Sequence, residues 1–336
     1  VDHQILLRKL ELYGIKGQAL TLLKSYLTNR NQKCQIQNSF SSERLITCGV
    51  PQGSILGPLF FLLYINDLPQ CLKNTKPCLF ADDTNITASG DSINDVQAAV
   101  NFDLENLRKW LVANRLSLNV AKTEFILIGS KPMLKKTTNR HPIIHIQNKQ
   151  IKQVYECKTL GVTIDQHLSW KSNTDNICKK ICSGISAIRR VKPYVSKETL
   201  ISIYNALVRP YFNYCCEVWD VFGETQSKRL QKLQNRAARV ILGMSNDVNH
   251  TIALHALGWE PLKIERKKAK GKMMYKILNK MGPQSLSNLF SYKSDKTEYH
   301  LRDISSSLCL PKPRTDNMKN SFMYDGAKLW NSIPKD

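Results

Sequence analysis

Residues 78–88, CLFADDTNITA, place two adjacent carboxylates, Asp82 and Asp83, between two short apolar segments. The pattern predicts a tight β-hairpin with strands over 77–81 and 84–88. Like charges at the tip of a hairpin repel each other and disfavour folding unless a cation binds between them. Mg²⁺ is the natural candidate, because it prefers carboxylate oxygens. Asp-Asp pairs also occur in ordinary turns, so the flanking sequence has to separate the two interpretations.

A second distinctive segment precedes the predicted hairpin. Residues 49–69 read GVPQGSILGPLFFLLYINDLP, which predicts a loop followed by an apolar helix with Pro58 in its first turn. Glycine permits close approach of the backbone to a ligand, and a glutamine amide both donates and accepts hydrogen bonds. The candidate binding residues of this loop are Gly49, Pro51, Gln52, Gly53 and Ser54. A plain helix-entry turn is the alternative, although it would not require so particular a combination.

A third segment follows an amphipathic helix predicted over 91–113, which Asp91 or Ser92 could cap. Residues 116–119, LSLN, lead to Lys122, and a strand is predicted over 125–129. A lysine here could face a triphosphate or protonate a leaving pyrophosphate. A solvated surface lysine is the alternative interpretation.

Positive charge is concentrated in the second part of the chain. The 336 residues carry a formal net charge of +22; residues 1–130 contain 13 Lys and Arg against 11 Asp and Glu, and the remainder contains 36 against 16. A basic surface of this kind most simply binds nucleic acid, with solubility or an anionic membrane surface as alternatives. No apolar run reaches the length of a membrane span. The ten scattered cysteines are expected to be reduced thiols rather than a metal or disulfide framework.

The predicted elements outside these segments are mostly helical towards the C-terminus. Helices over 3–13 and 17–29 and a hairpin over 33–48 are expected first, then an exposed basic loop over 131–142 and three short strands over 143–164. Further helices are expected over 170–193, 197–218, 225–242, 248–256 and 262–281, before an irregular tail over 283–336.

Several basic side chains of these helices are expected to contact the phosphate backbone of a nucleic acid. They are Lys179, Lys180, Arg189, Arg190, Lys228, Arg229, Lys232, Arg236 and Arg239. The Lys and Arg residues of 263–276 belong to the same expectation. Solvated helix faces are the alternative, because Lys and Arg normally lie outside in any case.

Together these segments resemble the reverse transcriptase family, and most closely the non-LTR (LINE-type, jockey-like) retrotransposons. The FADD box at 80–83 looks like motif C, 49–69 like motif B, 119–124 like motif D, and Leu160-Gly161 like the start of the primer-grip region. Later stretches look like the thumb and C-terminal segments of these elements; they lie at 207–219, 230–243 and 324–334. The resemblance covers nearly the whole chain. FADD alone is moderately specific, whereas FADD after a PQGS box is highly specific.

The resemblance implies an α+β right-hand polymerase, with a partial palm of antiparallel sheet and helices followed by an all-helical thumb. It implies partial fingers and palm over 1–130, connecting strands and primer grip over 131–169, a basic thumb over 170–282 and a C-terminal extension over 283–336. The implied activity is RNA-directed DNA polymerisation by two-metal nucleotidyl transfer.

The resemblance also implies roles and partners. Asp82 and Asp83 would bind Mg²⁺, Lys122 would lie near the phosphates, and the loop at 49–54 would position template and nucleotide. The partners would be an RNA template, a DNA primer and target, and deoxynucleoside triphosphates, with no membrane. Upstream endonuclease and fingers regions would belong to a parent polyprotein. The implied location is intracellular, in the nucleus and in a cytoplasmic ribonucleoprotein.

One part of the family pattern is missing from these residues. Motif A of the family supplies another catalytic aspartate in a pattern like D-x-x-x-A-F-D-x-V-D-H, and the chain begins at Val1-Asp2-His3, which looks like the end of that pattern. The chain also lacks an initial Met, so we expect a piece of a longer protein whose metal-binding aspartate lies upstream. Asp2 is expected to lie outside the metal site, and the chain alone is expected to have little or no polymerase activity.

Two rival interpretations remain open. The first is a decayed or domesticated nucleic-acid-binding protein without catalysis. The second is a related polymerase, such as an intron-encoded maturase or an RNA-copying polymerase.

Overall fold

The computed structural model describes residues 1–136, 141–221, 223–245, 247–296 and 307–334. These residues form helices and short antiparallel two-stranded ladders, which confirms a mixed α+β class. The chain divides into two compact units. The first comprises Val1–Phe125 and Ser130–Val154, and the second comprises Ile126–Gly129 and Tyr155–Asp336.

Helices and short ladders alternate in the first unit. Helices α1 to α5 span His3–Leu12, Gly17–Leu27, Leu56–Ile65, Ile93–Ala113 and Lys131–Lys136. Strands β1 to β10, of which β7 ends at Ile126, span Asn31–Gln32, Gln35–Ile36, Ser39–Phe40, Arg44–Leu45, Lys76–Phe80, Asp83–Thr87, Glu124–Ile126, His145–Ile146, Lys149–Gln150 and Lys152–Val154. The pairs are β1–β4, β2–β3, β5–β6, β8–β9 and β7–β10.

Two apolar clusters stabilise the first unit. One is built on Leu6, Phe60 and Tyr64 from α1 and α3. The other is built on Leu104, Leu107 and Leu111 from α4, together with Ile144, Ile146 and Ile151 from the segment around β8 and β9. Trp110 and Leu116 pack against both clusters, so the two parts of this unit share a continuous apolar interior.

The second unit is mainly helical. Strands β11 and β12 span Glu156–Thr159 and Val162–Asp165 and pair with each other. Helices α6 to α15 span Lys171–Val191, Lys197–Leu207, Arg209–Asn213, Cys216–Trp219, Glu224–Leu242, His250–Ala256, Leu262–Leu278, Gln284–Ser287, Asp316–Asn320 and Phe322–Asn331. Its largest apolar cluster contains Trp170, Phe212 and Trp219. No helix among the described residues is long and apolar enough to cross a bilayer.

The prediction of one helix over 197–218 is wrong. The chain instead forms α7, α8 and α9, separated at Val208 and at Tyr214-Cys215. Pro210 has no N–H to donate within a continuous helix, and its ring clashes with the preceding turn. Cys215 adopts φ of +51°, a left-handed conformation that no helix interior accommodates.

Two segments predicted to lack regular structure contain helices. The basic loop predicted over 131–142 includes α5, whereas residues 137–140 of it lie outside the described residues. The tail predicted to be irregular contains α13, α14 and α15. Helix α15 packs against α12, where Met274, Leu308 and Ala327 form a small buried cluster. The stretch predicted as three strands over 143–164 contains five, because it forms two separate hairpins, β8–β9 and β11–β12, and β10 pairs with β7.

Candidate active site

The Asp82-Asp83 hairpin forms as predicted, and each of its strands begins and ends one residue earlier than predicted. Strand β5 pairs with β6 so that Phe80 lies opposite Asp83, and Ala81 and Asp82 form the two-residue turn. Ala81 adopts φ of +51°, which costs a residue with a Cβ about 1–2 kcal/mol. Both carboxylates are exposed, and the described residues supply neither of them with an ion-pair partner. The hairpin therefore presents two free carboxylates on a strained tip.

The hairpin is supported by alternating contacts on one of its faces. Leu79 and Ile86 are half-buried and pack against the cluster built on α4, while Phe80 remains 63% exposed. A two-stranded ladder is marginal in water by itself. Packing on α4 therefore holds the tip that carries the carboxylates.

A buried carboxylate holds the entry to this hairpin. Asp103 on α4 is fully buried and accepts hydrogen bonds from the backbone N–H groups of Lys73, Asn74 and Thr75 at 2.8–3.1 Å. The Thr75 hydroxyl donates to it as well, at 2.8 Å. Thr75 directly precedes β5, so Asp103 fixes the point from which the hairpin starts.

The same contacts determine the charge state of Asp103. Burial by itself raises the pKa of this carboxyl, but the donors of Lys73, Thr75 and Asn74 outweigh it, and the net pKa is lowered. Asp103 is therefore a carboxylate at neutral pH. Its satisfied oxygens exclude it from a metal site and assign it a structural role.

The PQGS loop is closed by its own serine. The Ser54 hydroxyl donates to the Pro51 carbonyl at 2.7 Å and accepts from the Gly57 N–H at 3.0 Å. A Cβ on Gly57 would lie 3.0 Å from Ser54 Oγ and 3.1 Å from Pro51 O, so only glycine fits there without a shift. Gln52 and Gly53 remain exposed at the tip of the loop.

The start of the chain anchors the other end of that loop. The Gly49 N–H donates to the Val1 carbonyl at 2.6 Å, and a His3 ring nitrogen lies 2.8 Å from the Gly49 carbonyl. Asp2 caps α1 by accepting from the Gln4 and Ile5 N–H groups, and it pairs with Arg115 at 2.6 Å. Burial raises the pKa of Asp2, but these partners outweigh it and lower the pKa overall. Both oxygens of Asp2 thus serve the fold.

Lys122 lies at the end of a short 3-10 turn. Asn119 caps the turn by accepting from the Lys122 N–H at 3.3 Å, and the lysine side chain is exposed. Leu118 and Val120 pack against the same cluster as Leu79 and Ile86 of the hairpin. Val50 of the PQGS loop packs against the adjoining cluster. The structure thus places all three predicted segments on one continuous interior, whereas no hydrogen bond or ion pair of described residues joins Asp82, Asp83, Gln52 and Lys122 directly.

The donor set fits one side of a magnesium site. Asp82 and Asp83 offer the hard carboxylate oxygens that Mg²⁺ prefers. A two-ion site needs carboxylates from more than one element. Within the described ranges, no group of three or more His, Cys, Asp or Glu side chains is arranged to hold a metal ion. Asp82 and Asp83 would therefore be two of the carboxylates that such a site uses.

The two residues predicted as primer grip form the turn between β11 and β12, in the second unit. Leu160 and Gly161 have φ of +46° and +86°. The Tyr214 hydroxyl donates to the Leu160 carbonyl at 2.6 Å.

The structure divides the predicted backbone-binding cations into two groups. Exposed Lys179, Arg189, Arg190, Lys232 and Arg236 form no ion pair with described residues. The others have protein partners: Lys228 pairs with Glu224, Arg229 pairs with Asp175, Lys180 lies over the Tyr211 ring, and Arg239 donates to the Val248 carbonyl.

Some cations of α12 are structural, contrary to the expectation for 263–276. Arg266 is 2% exposed and pairs with Asp220 at 2.7 Å. Lys270 is 6% exposed and pairs with Asp325 of α15. Buried side chains cannot reach a phosphate backbone. Lys263, Lys267, Lys272 and Lys276 remain exposed.

Sequence reasoning missed Asp103 and Arg115. Asp103 lies on the side of α4 that the spacing of the apolar residues predicts to face inward. A buried carboxylate needs hydrogen-bond partners, so this position could have indicated its role. Its partners lie 28 to 30 residues away and carry no signal. Nothing local marks Arg115 as the partner of Asp2, which is 113 residues away.

Comparisons of the sequence find one matching family model and several similar proteins. Residues 1–164 match the family model described as reverse transcriptase (RNA-dependent DNA polymerase). The chain is 27% identical over 237 residues to the probable RNA-directed DNA polymerase from transposon X-element of Drosophila melanogaster, which is 68% of this chain and 25% of that protein. It is 29% identical over 231 residues to the corresponding protein from transposon BS of the same species, covering 66% and 25%.

A third similar protein comes from another insect. The Pol polyprotein from type-1 retrotransposable element R1 2 of Nasonia vitripennis is 24% identical over 226 residues, covering 65% of this chain and 55% of that protein. The chain spans about a quarter of the length of the first two relatives.

Proposed function

We propose that the chain belongs to the reverse transcriptase family of non-LTR retrotransposons and supplies part of the catalytic centre of an RNA-directed DNA polymerase. The observation that carries this proposal is the exposed Asp82-Asp83 pair on a strained hairpin tip, supported from below by α4 and Asp103. In this proposal the first unit corresponds to part of the palm and fingers, and the helices of the second unit correspond to the thumb.

Each candidate residue has a separate role in the proposed reaction. Asp82 and Asp83 would hold Mg²⁺, which when bound would activate the primer 3′-hydroxyl and neutralise charge on the triphosphate. Gln52 and Gly53, exposed on the closed loop, would contact the template base and the incoming nucleotide. Lys122, exposed on its capped turn, would face the phosphates. The proposed substrates are an RNA template, a DNA primer or target, and deoxynucleoside triphosphates. The proposed locations are the nucleus and a cytoplasmic ribonucleoprotein.

Duplex binding would use the cations without protein partners. Lys232 and Arg236 lie four residues apart on α10 and therefore on one face of that helix. Such contacts give affinity and register but read no sequence. A nucleic-acid-binding protein without catalysis remains the second candidate, because these cations support binding whether or not the hairpin acts.

Primer extension on an RNA template tests the proposal. We expect the 336-residue chain alone to extend no primer with Mg²⁺ or Mn²⁺, because two carboxylates do not complete the two-ion centre. We expect a longer element protein containing these residues to extend it, and Asp83→Asn to reduce its rate by about a thousandfold or more. The matched control is Asp91→Asn, an exposed aspartate outside the hairpin.

Two results would contradict the proposal. Robust extension by the chain alone would contradict the statement that its metal centre is incomplete. Near wild-type extension by Asp83→Asn in the longer protein would remove the hairpin from catalysis and favour the binding protein without catalysis.

A further inference from the structure

The turn between β11 and β12 has an uncommon backbone. Leu160 and Gly161 both have positive φ, at +46° and +86°. Two-residue hairpin turns of this kind favour Asn or Gly at the first position. A leucine there costs about 1–2 kcal/mol. The turn therefore persists only because neighbouring residues hold it.

Tyr214 is the neighbour that holds it. Its hydroxyl donates to the Leu160 carbonyl at 2.6 Å, across 54 residues of sequence. Its ring also covers Gly161, where a Cβ would lie 3.3 Å from Tyr214 Cε1. Gly161 is thus required both for its positive φ and for the approach of the aromatic ring.

Tyr214 is itself fixed by the core of the second unit. Its N–H donates to the Pro210 carbonyl at 2.9 Å, and its carbonyl accepts from Trp219 Nε1 at 2.7 Å. Trp219 is fully buried in the largest apolar cluster. The hydroxyl of Tyr214 is therefore presented from a rigid support.

The turn nevertheless remains open to a ligand. Leu160 is 38% exposed and Tyr214 is 54% exposed. Lys158 is exposed on β11, two residues before Leu160 in the sequence. A rigid, exposed turn beside a cation suits the sugar and phosphate of a strand end rather than a role in the core.

We propose that Tyr214 is a positioning residue that holds the Leu160-Gly161 turn in the conformation that receives the 3′-terminal nucleotide of a primer. The inference rests on the proposed function and extends it to this turn, which the sequence resemblance places at the start of the primer grip. It adds that the aromatic hydroxyl, through the Leu160 carbonyl, determines where the primer end lies.

Photo-crosslinking of the 336-residue chain tests this inference. The probe is an RNA–DNA duplex whose DNA primer ends in 4-thiothymidine, and crosslinked peptides are identified by mass spectrometry. We expect the wild type to crosslink within 158–162. Tyr214→Phe should reduce that crosslink about five- to tenfold, the worth of one hydrogen bond. Duplex affinity should change less than about twofold, because phosphate contacts elsewhere supply it.

Two further variants make the result specific. Tyr194→Phe is the matched control, because Tyr194 is 85% exposed, and it should behave as wild type. Gly161→Ala places a methyl group against the ring of Tyr214 without changing that residue, and it should reproduce the crosslink loss. The thermal unfolding midpoint should be unchanged for Tyr194→Phe and should fall by no more than a few degrees for Tyr214→Phe, which loses one hydrogen bond.

Each other outcome overturns a different statement. An undiminished crosslink in Tyr214→Phe would overturn the positioning role while leaving the primer contact intact. A wild-type crosslink confined to other residues would overturn both the turn as primer site and the role of Tyr214. Absence of duplex binding by the wild type would overturn the nucleic-acid part of the proposed function and this inference with it.

Discussion

The hairpin tip of the first unit and helix α10 of the second unit expose charges of opposite sign. At the hairpin tip these are the carboxylates of Asp82 and Asp83. On α10 they are the cations Lys232 and Arg236, and none of these four side chains forms an ion pair with described residues. Both units also bury charge, but always with partners: Asp103 holds the loop before β5, and Arg266 pairs with Asp220. Buried charges support the fold, whereas the exposed ones are available to ligands of opposite sign.

Removing the buried carboxylate of Asp103 should have the largest effect, and it should act on the free energy of unfolding. Asp103→Ala leaves three backbone N–H groups and the Thr75 hydroxyl without an acceptor, so we expect a loss of about 3–5 kcal/mol of unfolding free energy. Urea unfolding followed by circular dichroism measures it. Glu105→Ala on the same helix is the control and should change little, because its salt bridge to Arg108 is exposed. A comparably small loss for Asp103→Ala would contradict the structural role of buried charge.

Neutralising the free cations should have the next largest effect. Lys232→Gln with Arg236→Gln should weaken RNA–DNA duplex binding about tenfold or more and lower the slope of log K against log salt by about two, one for each phosphate contact. Fluorescence anisotropy at several salt concentrations measures both quantities. The charge-matched control, Lys33→Gln with Lys268→Gln, removes lysines that already face Glu43 and Glu260. Equal effects of the two pairs would mean that only net charge matters.

Lowering the pH should have a smaller effect, and it should reduce the stability of both units. The carboxyl pKa values of Asp103 and Asp165 are lowered: burial raises each, but donated hydrogen bonds outweigh it. Each group stabilises the fold above its unfolded pKa of about 4, and that contribution is lost as pH falls through the lower folded pKa. Unfolding free energy measured from pH 6 to pH 2 should therefore fall below about pH 4, and Asp103→Asn should fall less steeply. Identical pH profiles would contradict this assignment.

Local pattern predicted more of the Asp82-Asp83 hairpin than of the contacts that support it. The strands around Asp82-Asp83 follow a two-residue period bounded by turn residues, so their position was correct within one residue. Helix α4 was correct within two residues, and Ser92 is its cap. The acceptor role of Asp103 was not predictable, because it depends on a loop about 30 residues away that the helix meets only in the folded unit.

The second unit shows the same limit. Helical periodicity identified α6, α10 and α12, but it could not tell exposed cations from buried ones. Arg266 and Lys270 look like their neighbours in sequence, and only the positions of Asp220 and Asp325 make them structural. The break of the helix predicted over 197–218 was foreseeable at Pro210, whereas the left-handed Cys215 was not.

Binding of Mn²⁺ to the hairpin tests the central claim most directly. In amide NMR spectra of the 336-residue chain, the account predicts that Mn²⁺ in the millimolar range broadens the resonances of residues 80–84 selectively, because paired carboxylates bind such ions weakly without further ligands. Asp82→Asn with Asp83→Asn should abolish the broadening, and Asp91→Asn should leave it unchanged. Broadening that is absent at the hairpin, or that persists in the double variant, would contradict the assignment of this pair as the metal-binding side of a polymerase centre.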